Sequence, residues 1–213
     1  MTPPFILPVL PDPSPDARLC APATRRNLDP IRAILMAHAP RTGRALELAA
    51  GTGEHALAFS HAFPGLAWQP SDIDPARLAS IAAWAAAFGP QNLAAPIPLD
   101  AAHPGWSAIH GPLEMILLVN LLHLISEAQA AIVLSEITLA LAPGGSAFLY
   151  GPFLRAGQAT SDGDARFDAS LRAQDPATGY KDLDWVQNHL HPLAISVENM
   201  PANNLMLIAR ARP

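Results

Sequence analysis

The stretch Leu113–Val119, LEMILLV, is apolar on both faces of a strand, interrupted only by Glu114. A strand has this character when it lies in a parallel sheet buried between two layers of helices. The sequence around it alternates accordingly. RALELAA (44–50) reads as a strand, EHALAFSHAF as a helix stopped by Pro64-Gly65, and LAWQPS (66–71) as a second strand. DPARLASIAAWAAAFG reads as a helix, with Asp74 as its cap, Pro75 as its first residue and Gly89 at its close. A weak third strand is expected over 93–99, where Pro96 and Pro98 intrude.

Upstream, NLDPIRAILMAHAP predicts a first helix capped by Asp29, with Pro30 in the first position and Ile31, Ile34, Leu35 and His38 on one face. Downstream, Ser126 and Gln129 form a capping-box pattern for a helix to about Leu141, and SAFLYG (146–151) is a fifth strand. The stretch 152–180 is polar and irregular, with a helix near ARFDASLRA; another helix follows at DLDWVQNHL. LAISVENM and NLMLIARAR then read as two strands joined by the turn-rich PANN. The order predicts an α/β fold: a doubly wound, mostly parallel seven-stranded sheet with an antiparallel C-terminal strand and helices on both faces.

Charge and composition narrow the partners. The chain has 213 residues and a formal net charge of -5, with its lysines and arginines scattered, so no basic footprint for nucleic acid is present. One cysteine, Cys20, excludes an internal disulfide framework and fits a reducing compartment. No His/Cys cluster has zinc-site spacing, so no metal is expected. Residues 1–20 read as a proline-rich N-terminal arm, too broken for a signal peptide or a membrane span, and 21–213 as one domain. No membrane partner and a cytoplasmic location are expected, and a homodimer is compatible with the sequence.

The first strand runs into Gly51-Thr52-Gly53 and then directly into a helix. Glycines there let the backbone bend tightly and let a ligand approach, and the helix N-terminus favours it further. Asp72 ends the second strand about 20 residues on, where a carboxylate can accept from both ribose hydroxyls. Asp74 is explained by capping; Asp72 has no such structural explanation. NAD and S-adenosylmethionine both satisfy this pattern. Glu47, inside the first strand, favours the second, because a carboxylate attracts an ammonium group and repels a pyrophosphate. Asp100, after the third strand, is placed either to accept from an adenine amino group or to stand as a solvated loop aspartate.

The motifs LELAAGTG, PSDIDPARL, PLDAAH, LEMILLVNLLHL and LAPGGSAFLYGPF, in this order, resemble the class I, Rossmann-like S-adenosylmethionine-dependent methyltransferases, whose sheet also closes with an antiparallel strand. APATRRNLDPI, WQPSDIDP, FLYGPF, FDASLRAQDP and MPANNL are similar to a narrower group, the methyltransferase-like protein 26 family, domain-of-unknown-function family 938. Ala49 departs from the first glycine of many methyltransferases, which ordinary backbone dihedrals would allow. Asp164 stands where the narrower group suggests asparagine, and TGYKDL also departs from its pattern. The resemblance implies that Glu47, Ala50, Gly51 and Gly53 shape a methionyl pocket. It implies that Asp72 holds the ribose, Ile73 meets the adenine face, and Asp100 and Ala101 meet its edge. Asn120 and Leu121 would lie near the transferred methyl. Arg26 and Asn27, just before the first helix, would fold over the cofactor, with Arg26 on its carboxylate.

The implied function is methyl transfer to a small-molecule acceptor. The alternatives are a non-catalytic S-adenosylmethionine-binding protein and an NAD-dependent dehydrogenase. Catalytic candidates are His123, a general base or a packing histidine, and Tyr150, at the end of the fifth strand. Arg155, Asn203 and Asn204 are candidate acceptor-binding residues; the two asparagines also suit a plain hairpin turn. No NPPY-type tetrapeptide follows the fourth strand, where NLLH stands, which argues against methylation of amide or base nitrogens of that kind.

Overall fold

The computed structural model describes residues 17–213; the arm expected over 1–20 lies largely outside the described residues. Seven strands form one sheet in the order β3-β2-β1-β4-β5-β7-β6. They are β1 (Gly43–Leu48), β2 (Leu66–Asp72), β3 (Ile97–Pro98), β4 (Leu113–Val119), β5 (Leu141–Gly151), β6 (Ala194–Asn199) and β7 (Leu205–Arg210). β1 and β2 pair in parallel, as do β2 and β3, while β7 runs antiparallel to both β5 and β6. The helices are α1 (Pro22–His38), α2 (Glu54–Ala62), α3 (Pro75–Phe88), α4 (Trp106–His110), α5 (Glu127–Ala140), α6 (Asp162–Gln174) and α7 (Leu183–His189). The α/β class, the mostly parallel sheet and the antiparallel closing strand all match the expectation. No helix among the described residues is long and apolar enough to cross a membrane.

The chain packs as two compact units. One runs to Asp100 and takes in Leu113–Leu117; the other comprises Ala101–Pro112 and Leu118–Pro213. The first has a core around Trp68, Trp84, Phe59, Ile31 and Leu35, all fully buried. The second is centred on Phe148, Leu149, Val133, Leu134, Ile137 and Leu207.

Local signals explain most boundaries. Asp74 accepts from the Ala76 amide at 2.8 Å with Pro75 opening α3. The Ser126–Gln129 capping box is complete at the start of α5. Gly89 closes α3 at an ordinary φ of -70°; it is small because a Cβ there would lie 2.5 Å from the Ala85 carbonyl oxygen.

Three expectations are corrected. Helix α1 starts at Pro22, so Asp29 is not its cap and Pro30 lies inside it. A helical proline forfeits one backbone bond. The start of the helix is held by tertiary contacts: His55 Nε2 meets the Thr24 carbonyl at 3.1 Å, and Ala21 N–H donates to Glu54 at 2.8 Å. Asp29 pairs with Arg32 at 2.8 Å and is exposed. The third strand shrinks to Ile97–Pro98, because prolines at 96 and 98 cannot donate to a ladder. Helix α4 was not expected; its five residues are too few for a helical period to show in the sequence.

Candidate active site

The first unit brings a glycine turn and an acid together at the carboxyl ends of β1 and β2. After Leu48 the chain turns through Ala49 at φ 50°, Gly51 at φ 60° and Gly53 at φ 90°. Two bonds to β2 fix this turn: Ala50 N–H donates to the Ser71 carbonyl, and Gly51 N–H donates to Asp72 Oδ2, both at 2.8 Å. Asp72 Oδ1 accepts from the Asp74 amide at 3.0 Å. Asp72 is therefore a brace between the glycine turn and the end of β2, a structural explanation that its sequence context did not reveal. Each carboxylate oxygen carries two acceptor sites, so the two amides leave acceptor capacity on Oδ1, while Oδ2 also faces Arg77 Nη1 at 3.9 Å. Ile73 follows with its side chain outward, 64% exposed next to an aspartate that is 1% exposed.

The two glycines differ. A Cβ at Gly53 would strike Ile81 of α3 at 2.9 Å, so that glycine permits helix packing. A Cβ at Gly51 would meet only the Ala49 carbonyl oxygen, at 4.0 Å, so that glycine borders open space. Ala49 has a left-handed backbone, so the ordinary dihedrals that would make an alanine easy there are not met, and an L-residue is strained.

Glu47 is 2% exposed and accepts from Trp68 Nε1 at 2.8 Å. Burial pushes its carboxyl up to about 8; the Trp68 bond opposes this and the Asp72 charge adds to it. It is thus largely protonated at neutral pH, and an ammonium group has to displace that proton to form an ion pair. His55 turns inward, stacks on Phe59 at 5.1 Å, and is lowered to about 4 by burial.

The N-terminal residues meet the turn differently from the expectation. Arg26 and Asn27 lie within α1 rather than before it, Arg26 exposed and Asn27 half-buried. The neighbouring arginine docks instead: Arg25 Nε donates to the fully buried Glu54 at 2.8 Å. Asp100 is exposed and Ala101 is buried in the turn after β3.

The second unit gathers most of the acceptor-side candidates at the carboxyl ends of β4 and β5. Asn120 leaves β4 at φ 57°, its N–H donating to the Tyr150 carbonyl at 2.8 Å, and half-buried Leu121 follows. Gly151 faces them; a Cβ there would lie 3.7 Å from Asn120 Oδ1 and 3.9 Å from His123 Nδ1. His123 is 7% exposed and packs edge-on against Phe167 and Tyr180, ring centroids 6.0 Å away in each case. Burial, aided by the Lys181 charge, lowers it to about 4, so it is neutral at pH 7 and a weak base. Tyr150 is buried within β5.

The PANN segment is a hairpin turn, and it also reaches the cluster. Ala202 and Asn203 both have positive φ, the signature of a I′ turn, and Asn204 N–H closes it on the Pro201 carbonyl at 3.4 Å. The Asn204 side chain folds back on Pro201 at 3.0 Å, so it serves the turn. Asn203 reaches outward: its Nδ2 donates to Asp164 Oδ2 at 3.0 Å, and its carbonyl accepts from Arg155 at 3.4 Å. Asp164 in turn accepts from the Ser161 hydroxyl at 2.7 Å and lies 3.5 Å from the Tyr180 hydroxyl.

Phe167, Tyr180 and Lys181 were not anticipated. They lie in the polar 152–180 region and just beyond it, without a period to flag them. A cavity of about 300 Å³ in the same unit has Ser126, Glu127, Arg172, Thr178 and Lys181 in its lining. Ser126 and Glu127 place it at the start of α5. The Lys181 ammonium is already taken up by the carbonyls of Ile125 and Gly179, at 2.7 and 2.8 Å.

The fold is shared with solved methyltransferases. An O-methyltransferase family protein from Burkholderia thailandensis superposes with a TM-score of 0.74 at 16% identity, over 89% of this chain and 57% of its own. Human N-acetylserotonin methyltransferase, solved with S-adenosylmethionine, gives 0.70 at 15% identity, over 90% of this chain and 53% of its own. An O-methyltransferase family 2 protein from Planctomyces limnophilus, complexed with apigenin, gives 0.67 at 19% identity, over 79% and 50%. The chain thus spans little more than half the length of these proteins. Residues 18–211 match the family model described as "Protein of unknown function (DUF938)". The chain belongs to the DUF938 family, on a Rossmann-like methyltransferase fold.

Proposed function

We propose that the chain is an S-adenosylmethionine-dependent methyltransferase that acts on a small-molecule acceptor by in-line methyl transfer. The observation that carries this reading is the Gly51–Asp72 bond at 2.8 Å, which sets an acid and the exposed Ile73 beside the open face of a glycine turn. The likeness to methyltransferases solved with S-adenosylmethionine and with apigenin supports it.

The donor set fits the group: a buried acid for an ammonium, an acid with spare lone pairs for a diol, and an apolar face for a purine. When bound, S-adenosylmethionine supplies a methyl group on a sulfonium, the electrophile of the reaction. In this reading Asp72 accepts from the ribose hydroxyls, Ile73 covers the adenine, and Asp100 and Ala101 meet its edge. Glu47, Ala50, Gly51 and Gly53 shape the methionyl pocket. Asn120 and Leu121 line the methyl-bearing end, and Arg26 and Asn27 lie toward the carboxylate. His123 and Tyr150 border the acceptor; His123, neutral and nearly buried, positions it more than it takes its proton. Arg155 and Asn203 bind the acceptor, and Asn204 shapes the turn that presents Asn203. Positioning of the two reactants is the main contribution, worth up to roughly 7–11 kcal/mol of barrier.

Thermal shift with S-adenosylhomocysteine and with NAD tests the cofactor. Stabilisation by the first alone is expected; stabilisation by NAD alone would overturn the reading. Transfer of a labelled methyl group to a small-molecule extract tests catalysis. Binding with no transfer across broad extracts would reduce the protein to a binding module.

A further inference from the structure

Beyond the carboxyl end of β5, Arg155 has no acid within ion-pair distance among the described residues. Arg155 lies four residues past Gly151 and is half-buried. Its Nε–H is buried and meets no acceptor, and its Nη2 contact to the Asn203 carbonyl is long, at 3.4 Å. The acids nearby are engaged elsewhere. Asp164 is held by Ser161 and Asn203, and Asp182 accepts from the amides of Gly157 and Asp184. Arg172, by contrast, has its acid in Asp168 at 3.0 Å.

A buried N–H without a partner is costly, and an acceptor from outside the chain would remove that cost. A guanidinium offers Nε–H and an Nη–H as a planar fork that matches the two oxygens of a carboxylate. Asn203, on a tight turn whose φ values fix its direction, stands beside that fork. Phe167, held against His123 and Tyr180 yet nearly half exposed, adds apolar surface in the same unit.

We propose that the methyl acceptor is an organic acid and that Arg155 grips its carboxylate through Nε–H and Nη–H, beside the β6–β7 turn. This rests on the methyltransferase reading and names the acceptor class for it. The carboxylate is the anchor, so the acid binds as its anion.

Acetate, the smallest carboxylate, probes the fork directly in the full-length, nitrogen-15-labelled protein. The Arg155 Nε–H resonance is identified by its loss in Arg155→Lys. Sodium acetate should shift it saturably, and sodium chloride at matched ionic strength should not. No saturable shift, or the same shift with chloride, overturns the proposal. For the acceptor itself, a small-molecule extract is divided on an anion-exchange resin and each fraction is offered with labelled methyl donor. The accepting activity should lie in the retained fraction, and Arg155→Lys should raise KM for it by about tenfold or more with kcat little changed. Activity confined to the unretained fraction overturns the acid assignment and leaves the methyltransferase reading standing. Lack of stabilisation by S-adenosylhomocysteine defeats that reading, while the acetate titration still judges Arg155.

Discussion

Arg25 Nε donates to Glu54 Oε1 at 2.8 Å, and this pair fastens the first helix to the first residue of α2, directly after the glycine turn. The Glu54 side chain is fully buried, and its Oε2 also accepts from the Ala21 amide at 2.8 Å and the Thr52 hydroxyl at 3.1 Å. One carboxylate thus gathers the start of α1 and the middle of the turn.

Removing the cation leaves that carboxylate buried without its Arg25 partner. Arg25→Ala should cost about 1–3 kcal/mol, read as a lower urea midpoint at unchanged slope. Glu54→Gln alone and the double variant complete a cycle. A coupling near zero would show that the pair does not hold the helix in place.

Asp72 carries two loads, the Gly51 and Asp74 amides on the chain side and the proposed ribose on the ligand side. Asp72→Ala should lower affinity for S-adenosylhomocysteine at least about tenfold, measured by calorimetry on protein shown to be folded by circular dichroism. Unchanged affinity would move the ribose elsewhere.

The sheet and the glycine turn were legible because they depend on local patterns: the all-apolar LEMILLV, the Ser126–Gln129 box, the Asp74-Pro75 start. Arg25 was not legible. Its neighbour Arg26 is equally basic, and only the start of α1 at Pro22, set by contacts to Glu54 and His55, decides which arginine faces the turn. Asp72 was found for its position, but its bracing role depends on where the Gly51 amide points, which no spacing encodes. The Phe167–Tyr180–His123 cluster joins residues far apart in the sequence through side-chain contacts alone.

The two glycines of the turn should separate stability from binding. Gly53→Ala meets Ile81 at 2.9 Å and takes a φ of 90°, so unfolding should come at markedly lower denaturant. Gly51→Ala has room for its methyl and pays only the left-handed backbone, about 1–2 kcal/mol. Its larger effect should be on S-adenosylhomocysteine affinity, through the surface it presents to the ligand. Equal stability losses in the two variants would contradict this division.

Ala49 sits at φ 50° where glycine is at ease. Ala49→Gly relieves the strain and gives back part of it as chain entropy, so stability should rise by up to about 1 kcal/mol. The check is the urea midpoint; a decrease would mean that the methyl group packs favourably enough to outweigh the backbone.

Glu47 should make both stability and cofactor binding depend on pH. Burial holds its folded-state carboxyl at about 8 against an ordinary 4.5. Between these values the folded chain keeps a proton that the unfolded chain has released. Its contribution to stability is therefore complete below the ordinary value and is lost as pH rises through the folded one, by at most about 1.4 kcal/mol per pH unit. His55 and His123, lowered to about 4 from 6.5, act in the opposite sense below pH 6.5. The window from 6.5 to 8 is free of those two histidine effects. Stability should fall there in the wild type and stay flatter in Glu47→Gln, whose amide oxygen still accepts from Trp68. If an ammonium pairs with Glu47, that proton must leave when the ligand binds. Calorimetry of S-adenosylhomocysteine at pH 7 in buffers of different ionisation enthalpy should then show release of about one proton, and none in Glu47→Gln. A wild-type enthalpy independent of buffer would place the ammonium away from Glu47.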